Sequence, residues 1–220
     1  MTIKALEDRI GSLSKPSKMP CHGYSLPAYA CKRGSLLRQI DNSVCSGCYA
    51  LKNRYLFANV QTALYKRLDA VLSNETEWGE LITQLISKKE KSGYFRWHDS
   101  GDIQSLDHLS AINNVALSLP DIKFWLPTRE TKLLSQWLKS QTLADNLNIR
   151  ISASMVGQKP SNPTKLKDTT TQSSVGFDGA PVNCPALHQG NSCQDCRACW
   201  DKSVLTVNYQ PQTAQHPPRS

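Results

Sequence analysis

The chain has 220 residues, 39% of them hydrophobic, and a formal net charge of +8. That is enough apolar side chain for one buried core with appended segments, which excludes a small secreted scaffold held together by disulfides. The opening MTIKALEDRI is charged without an apolar core region, and no stretch approaches membrane-spanning length, so the expectation is a cytoplasmic protein with neither signal peptide nor membrane segment.

Residues 1–48 are rich in Pro, Gly, Ser and Cys and predict loops, with one short strand at 24–29. Residues 1–55 hold nine Lys or Arg against three acids. That excess suits a nucleic acid, an anionic cofactor or an anionic partner; it equally suits a solvated surface that offsets a negatively charged thiolate cluster. From Tyr49 the texture becomes helical. Leu56, Val60, Leu64, Leu68 and Val71 recur at helical spacing, and Trp78, Leu81, Ile82, Leu85 and Ile86 repeat the pattern after a break at 73–76, so 49–91 predicts two amphipathic helices.

Over 92–154 strands and helices alternate: strand 94–98, helix 106–119 with Ser105 as its cap and Pro120 as its stop, strand 122–126, helix 131–140, strand 148–154. This βαβαβ spacing predicts an α/β fold with a short parallel sheet, whose ligands gather beyond the carboxyl ends of the strands. Trp97, Trp125 and Trp137 fall at core-like positions. Residues 155–183 turn polar and predict a long surface loop with one strand near Val175, 184–208 is a second cysteine-rich segment, and 209–220 reads as a disordered tail. Residues 1–208 thus form one domain.

The eight cysteines fall into two sequence groups. Cys184, Cys193, Cys196 and Cys199 lie in NCPALHQGNSCQDCRACW, and a C-x2-C-x2-C run can wrap one compact object and ligate three of its corners, the signature of a [4Fe–4S] cubane. Zinc more often takes two separated C-x2-C knuckles. Cys184, followed by Pro185, is the natural fourth ligand. Cys21, Cys31, Cys45 and Cys48 form a looser group with one tight pair, CSGCY, and leave open a second cubane, a zinc ion, or a site shared between the groups. If four thiolates bind a cluster it is closed and serves electron transfer or structural support; if three bind, one iron is free. His22 and His188 lie beside cysteines and could replace one.

A second constellation is polar. RWHDSGD sets Arg96, His98, Asp99 and Asp102 at a strand end, where they could bind a ligand or relay a proton; equally, they could form a turn whose Asp and Ser satisfy backbone amides. LPTRE adds Arg129 and Glu130, either an anion grip or a local ion pair. The candidates for catalysis are His98, Asp99, Asp102, Arg129 and Glu130.

With CHGYSLPAYACKRG, CSGCYALKNRY, FRWHDSGDIQS, FWLPTRE and CQDCRACW in order, the chain resembles the phage gene product 88 family over about residues 20–210. If phage-encoded, it acts in the host cytoplasm. A more distant likeness is to radical S-adenosylmethionine enzymes, which implies a partial (βα) half barrel with an open-iron cluster. By that likeness Cys31, Cys45 and Cys48 are the cluster ligands, Ser100, Gly101 and Asp102 occupy the place that binds the methionine amino group, and Ser152 and Ser154 face the same site. The usual C-x3-C-x2-C spacing is absent here. Three functions follow: a redox or structural iron–sulfur protein with an electron donor or acceptor as partner, a radical enzyme that uses S-adenosylmethionine, or a zinc protein that binds nucleic acid.

Overall fold

The computed structural model describes residues 1–160, 166 and 168–211. Helix α1 (Ile3–Ile10) opens the chain; it is capped by Thr2, whose side chain accepts from Ala5 N, and buries Leu6 and Ile10. At eight residues it was too short to stand out by periodicity, and it replaces part of the expected N-terminal loop. Strand β1 (Gly23–Tyr24) is shorter than expected, because a 3₁₀ turn at Ala28–Ala30 and helix α2 (Lys32–Leu37) follow it. Two more 3₁₀ turns fill 49–56, so the helices expected over 49–91 begin later, as α3 (Ala58–Ser73) and α4 (Glu75–Lys89). The break between them is where the sequence put it, with Asn74 accepting from Glu77 N as the cap of α4.

The alternating core follows: β2 (Tyr94–Trp97), α5 (Leu106–Ser118), β3 (Lys123–Thr128), α6 (Thr131–Trp137) and β4 (Leu147–Ser152). Ser105 caps α5 as expected, accepting from His108 N. Beyond it the expected surface loop carries two strands, β5 (Thr171–Val175) and β6 (Val182–Asn183), and the second cysteine segment ends in β7 (Thr206–Tyr209). Tyr209, assigned to the tail by sequence, is therefore sheet. The rest of the expected tail from 212, and residues 161–165 and 167 of the expected loop, lie outside the described residues.

All seven strands pair in parallel in the order β1-β2-β3-β4-β5-β7-β6. Alternation along the strands sets up two faces. Phe95, Trp97, Phe124, Leu126, Leu147, Ile149 and Ile151 join one large core with α1, α3, α4, α5 and α6. The opposite face carries Arg96, Trp125, Asn148 and Arg150, and the cysteine-rich link between β6 and β7 covers it. Trp125 and Trp200 are buried there together with Cys21, and Met19, Tyr94, Cys199 and Tyr209 pack around them. Trp97 and Trp137 belong to the main core, Trp125 to this second one. Among the described residues, no helix is long and apolar enough to cross a membrane.

Candidate functional site

All eight cysteines are free thiols, and the fold regroups them as three and five. Cys31, Cys45 and Cys48 gather at the carboxyl edge of the sheet. Cys31 follows β1 through the 3₁₀ turn and leads into α2. Cys45 is brought in because Ser43 bridges Met155 and Val44 N donates to Ser154 O at 2.8 Å, which lays this loop on the end of β4. Gly34 leaves the gap between the two thiols: a Cβ on it would stand 3.7 Å from the Sγ of both Cys31 and Cys45 and 2.9 Å from Cys31 Cβ. Burial pushes the thiols of Cys31 and Cys45 up; Asp102 and the neighbouring thiols add to this, and the Arg129 guanidinium opposes it. Held so, they remain neutral unless a strong positive centre draws off the proton.

Cys21 is not part of this set. It precedes β1, at the other end of that strand, is 1% exposed, and shares the second core with Cys199. Burial, with Glu90 and Cys193 nearby, pushes its thiol up to about 12 against the pull of Arg96 and Arg197. Cys193 N donates to Lys18 O at 2.8 Å, which docks the second segment on the chain leading into Cys21. Cys199 lies 3.1 Å from the Tyr209 hydroxyl, and burial raises it to about 11. Cys193 is raised by burial and by the nearness of Cys184 and Cys196.

Arg150 clamps this segment in place, with Nη1 donating to Gln172 O at 2.6 Å and Nη2 to Ala198 O at 3.0 Å, Val204 O at 3.1 Å and Asp201 O at 3.4 Å. Asn148 Nδ2 donates to Cys199 O at 3.0 Å. Among the described residues, no group of three His, Cys, Asp or Glu side chains is gathered to hold one metal ion.

The polar constellation is taken apart by the fold. Asp102 Oδ1 accepts from Thr128 Oγ1 at 2.6 Å and Ile103 N at 2.8 Å, and Oδ2 accepts from Arg129 N at 3.0 Å. Burial raises its carboxyl to about 6 against these bonds. The turn reading of this residue is the one the geometry favours. Ser100 Oγ donates to Leu26 O at 2.8 Å, and Gly101, at φ +82°, lies so close to Leu26 that a Cβ would stand 2.5 Å from the Leu26 Cβ. These three residues tie the end of β2 to its neighbours. Glu130 Oε1 accepts from Arg33 N at 2.7 Å, and Arg129 Nε donates to Ala153 O at 3.1 Å, so the two do not pair with each other. Ser152 Oγ meets Ser173 Oγ at 3.4 Å, while Ser154 serves through its carbonyl.

His98 leaves the strand at φ +50°, and its ring lies 5.4 Å from that of His108 on α5. It is 3% exposed with neither ring nitrogen partnered, and burial beside Arg96 lowers it to about 3. Asp99 receives the Tyr55 hydroxyl at 2.7 Å on Oδ2, and the Tyr49 hydroxyl donates to its main-chain oxygen. His22 is bound by Glu90, whose Oε2 lies 2.9 Å from Nδ1. His188 is exposed.

Arg96 is the residue whose position the motif reading missed. Its guanidinium lies 4.4 Å from the Trp125 ring centre with Nη1 3.5 Å from Met19 Sδ, and its buried Nε has no partner. Its charge reaches Cys21, Cys193 and Cys199. The signal was in YFRW, where Phe95 and Trp97 claim one face and leave Arg96 to the other. No curated protein and no solved structure matches the chain. A family model does: gene product 88 matches residues 3–202, nearly the whole described fold, and the chain belongs to the phage gene product 88 family.

Proposed function

We propose that the chain is an iron–sulfur protein that holds [4Fe–4S] clusters in two centres, one on Cys31, Cys45 and Cys48 and one on the C-terminal cysteines. The observation that carries the reading is the gathering of free thiols, buried or half-buried, from distant parts of the sequence into two sets, one of them with C-x2-C-x2-C spacing. Arg129 at the first centre, and Arg96 and Arg197 at the second, offset the negative charge that a thiolate-ligated cluster brings. The cluster, when bound, supplies one-electron chemistry. The residues around it exclude water and set its potential through charge and hydrogen bonds such as that between Cys199 and Tyr209.

A second reading, a radical enzyme acting on S-adenosylmethionine at an open iron, is favoured by one observation: the first set has three thiols at the carboxyl edge of a parallel sheet with its helices on one face. Against it, Ser100 and Asp102 already have partners within the fold. Anaerobic purification followed by reduction tests both readings. The first expects a brown protein with the electron paramagnetic resonance of reduced clusters, and a colourless protein with stoichiometric zinc would overturn it. The second expects that spectrum to change on addition of S-adenosylmethionine, with deoxyadenosine formed; absence of both would remove it.

A further inference from the structure

We infer that the exposed face around Cys31, Cys45 and Cys48 binds single-stranded nucleic acid, with basic side chains on the phosphates and aromatic rings against the bases. The inference goes beyond the iron–sulfur reading and holds whether or not a cluster is bound. Residues 29–57 carry five Lys or Arg, namely Lys32, Arg33, Arg38, Lys52 and Arg54, against the single acid Asp41. Four of these cations are exposed and Arg38 is half-buried. The same stretch holds six of the thirteen large apolar side chains exposed among the described residues: Tyr29, Leu36, Ile40, Tyr49, Leu56 and Phe57. Apolar side chains concentrated in this way mark a contact surface, and the charge around them selects an anionic partner.

The fold draws the stretch together. Arg38, at the end of α2, turns back so that Nη2 donates to Ala28 O at 3.3 Å and the guanidinium stands 5.6 Å from the Tyr29 ring centre. The Sγ atoms of Cys31 and Cys45 both border the space beside Gly34, which holds the loop after α2 against that helix, and Tyr49 follows Cys48 directly. The Tyr49 hydroxyl donates to Asp99 O and its ring meets that of Tyr55 edge-on at 5.7 Å, so a 38% exposed ring is fixed in place. Neighbouring carboxylates are engaged elsewhere: Asp99 Oδ2 accepts from the Tyr55 hydroxyl and Glu130 Oε1 from the main-chain nitrogen of Arg33. An acidic protein could meet the cations. The rings of Tyr29, Tyr49 and Phe57 among them favour a ligand that also brings flat π-faces, which unpaired bases offer and a duplex hides.

Fluorescence anisotropy of a labelled oligodeoxythymidylate of about 15 nucleotides, titrated with the full chain over a range of salt, tests the inference. Binding should weaken as salt rises, with a logarithmic slope of about −2 to −3.5 for three to five phosphates neutralised. The double change Lys52→Glu and Arg54→Glu should weaken it at least about ten-fold and flatten that slope, and Phe57→Ala, at an exposed ring, should weaken it about ten-fold with the slope kept. Lys88→Glu with Lys91→Glu removes the same charge beyond the end of α4, at the amino edge of the sheet, and should weaken it far less. No binding at low salt, binding indifferent to salt, or equal losses from the two charge reversals would overturn the inference. A duplex of the same length bound as tightly would overturn it too, as would a chain that ignores the oligonucleotide and self-associates through Leu36 and Ile40. Iron content of the same preparation is measured separately, so failure here leaves the iron–sulfur reading standing.

Discussion

The indole Nε1 of Trp200 donates a 2.8 Å hydrogen bond to the main-chain oxygen of Phe95, pinning the second cysteine segment to β2, the strand beside the edge strand β1. The same ring stands 5.3 Å from that of Trp125 and 5.5 Å from that of Tyr94. Trp200→Phe keeps most of the packing and loses the bond, which should cost about 1 kcal/mol, whereas Trp200→Ala should cost about 3–5 kcal/mol. Urea unfolding of the metal-free chains measures both, and a Trp200→Phe chain as stable as the wild type would show that the hydrogen bond contributes nothing.

Arg150 is fully buried and satisfies carbonyls of Gln172, Ala198, Asp201 and Val204. Arg150→Met fills similar space but orphans these acceptors, and should destabilise the chain by about 3 kcal/mol or more. Hydrogen exchange should accelerate first at residues 198–205. Loss spread evenly over the sheet would contradict the clamp.

Gly101 and Gly47 make a matched pair. Gly101→Ala forces a Cβ against Leu26 at a left-handed φ, whereas a Cβ at Gly47 meets nothing within 4 Å. The first change should lower the melting temperature by several degrees and the second should leave it nearly unchanged.

The buried pair His98 and His108 makes folding acid-sensitive. Both are held below their ordinary range, His98 at about 3, so between there and about 6.5 the unfolded chain binds protons that the native chain refuses. Stability from these groups is present above about 6.5 and falls as pH drops. Asp102, raised to about 6, acts in the opposite sense below that value but is one group against two. His98→Asn, compatible with φ +50°, should flatten the pH dependence of unfolding between pH 4 and 6.5 by about 2 kcal/mol at pH 5. An unchanged slope would contradict the assignment.

Much of the fold was legible where apolar periodicity is strong. The α4 repeat Trp78, Leu81, Ile82, Leu85 and Ile86 and the hydrophobic alternation of β2 to β4 announce a parallel α/β sheet directly. Polar strands were legible only in part: the strand expected near Val175 is β5, whereas β6 and β7 were not read. β5 reads TQSSV, and its Ser174 is buried because Oγ donates to Asn208 Oδ1 at 2.9 Å on β7, a partner that sequence cannot supply. The site divided in the same way. The spacing of the cysteines is visible in the sequence, but the company of Cys21 depends on which end of β1 it occupies. Asp102 and Ser100 in turn look like ligand residues until their partners across the turn are seen.

The most direct measurement of the central claim is the iron, acid-labile sulfide and zinc content of the full chain purified without oxygen. Two cubanes predict about eight irons and eight sulfides per chain, falling to about four of each when Cys31, Cys45 and Cys48 are replaced by Ala. A chain with stoichiometric zinc and neither iron nor sulfide would contradict the account.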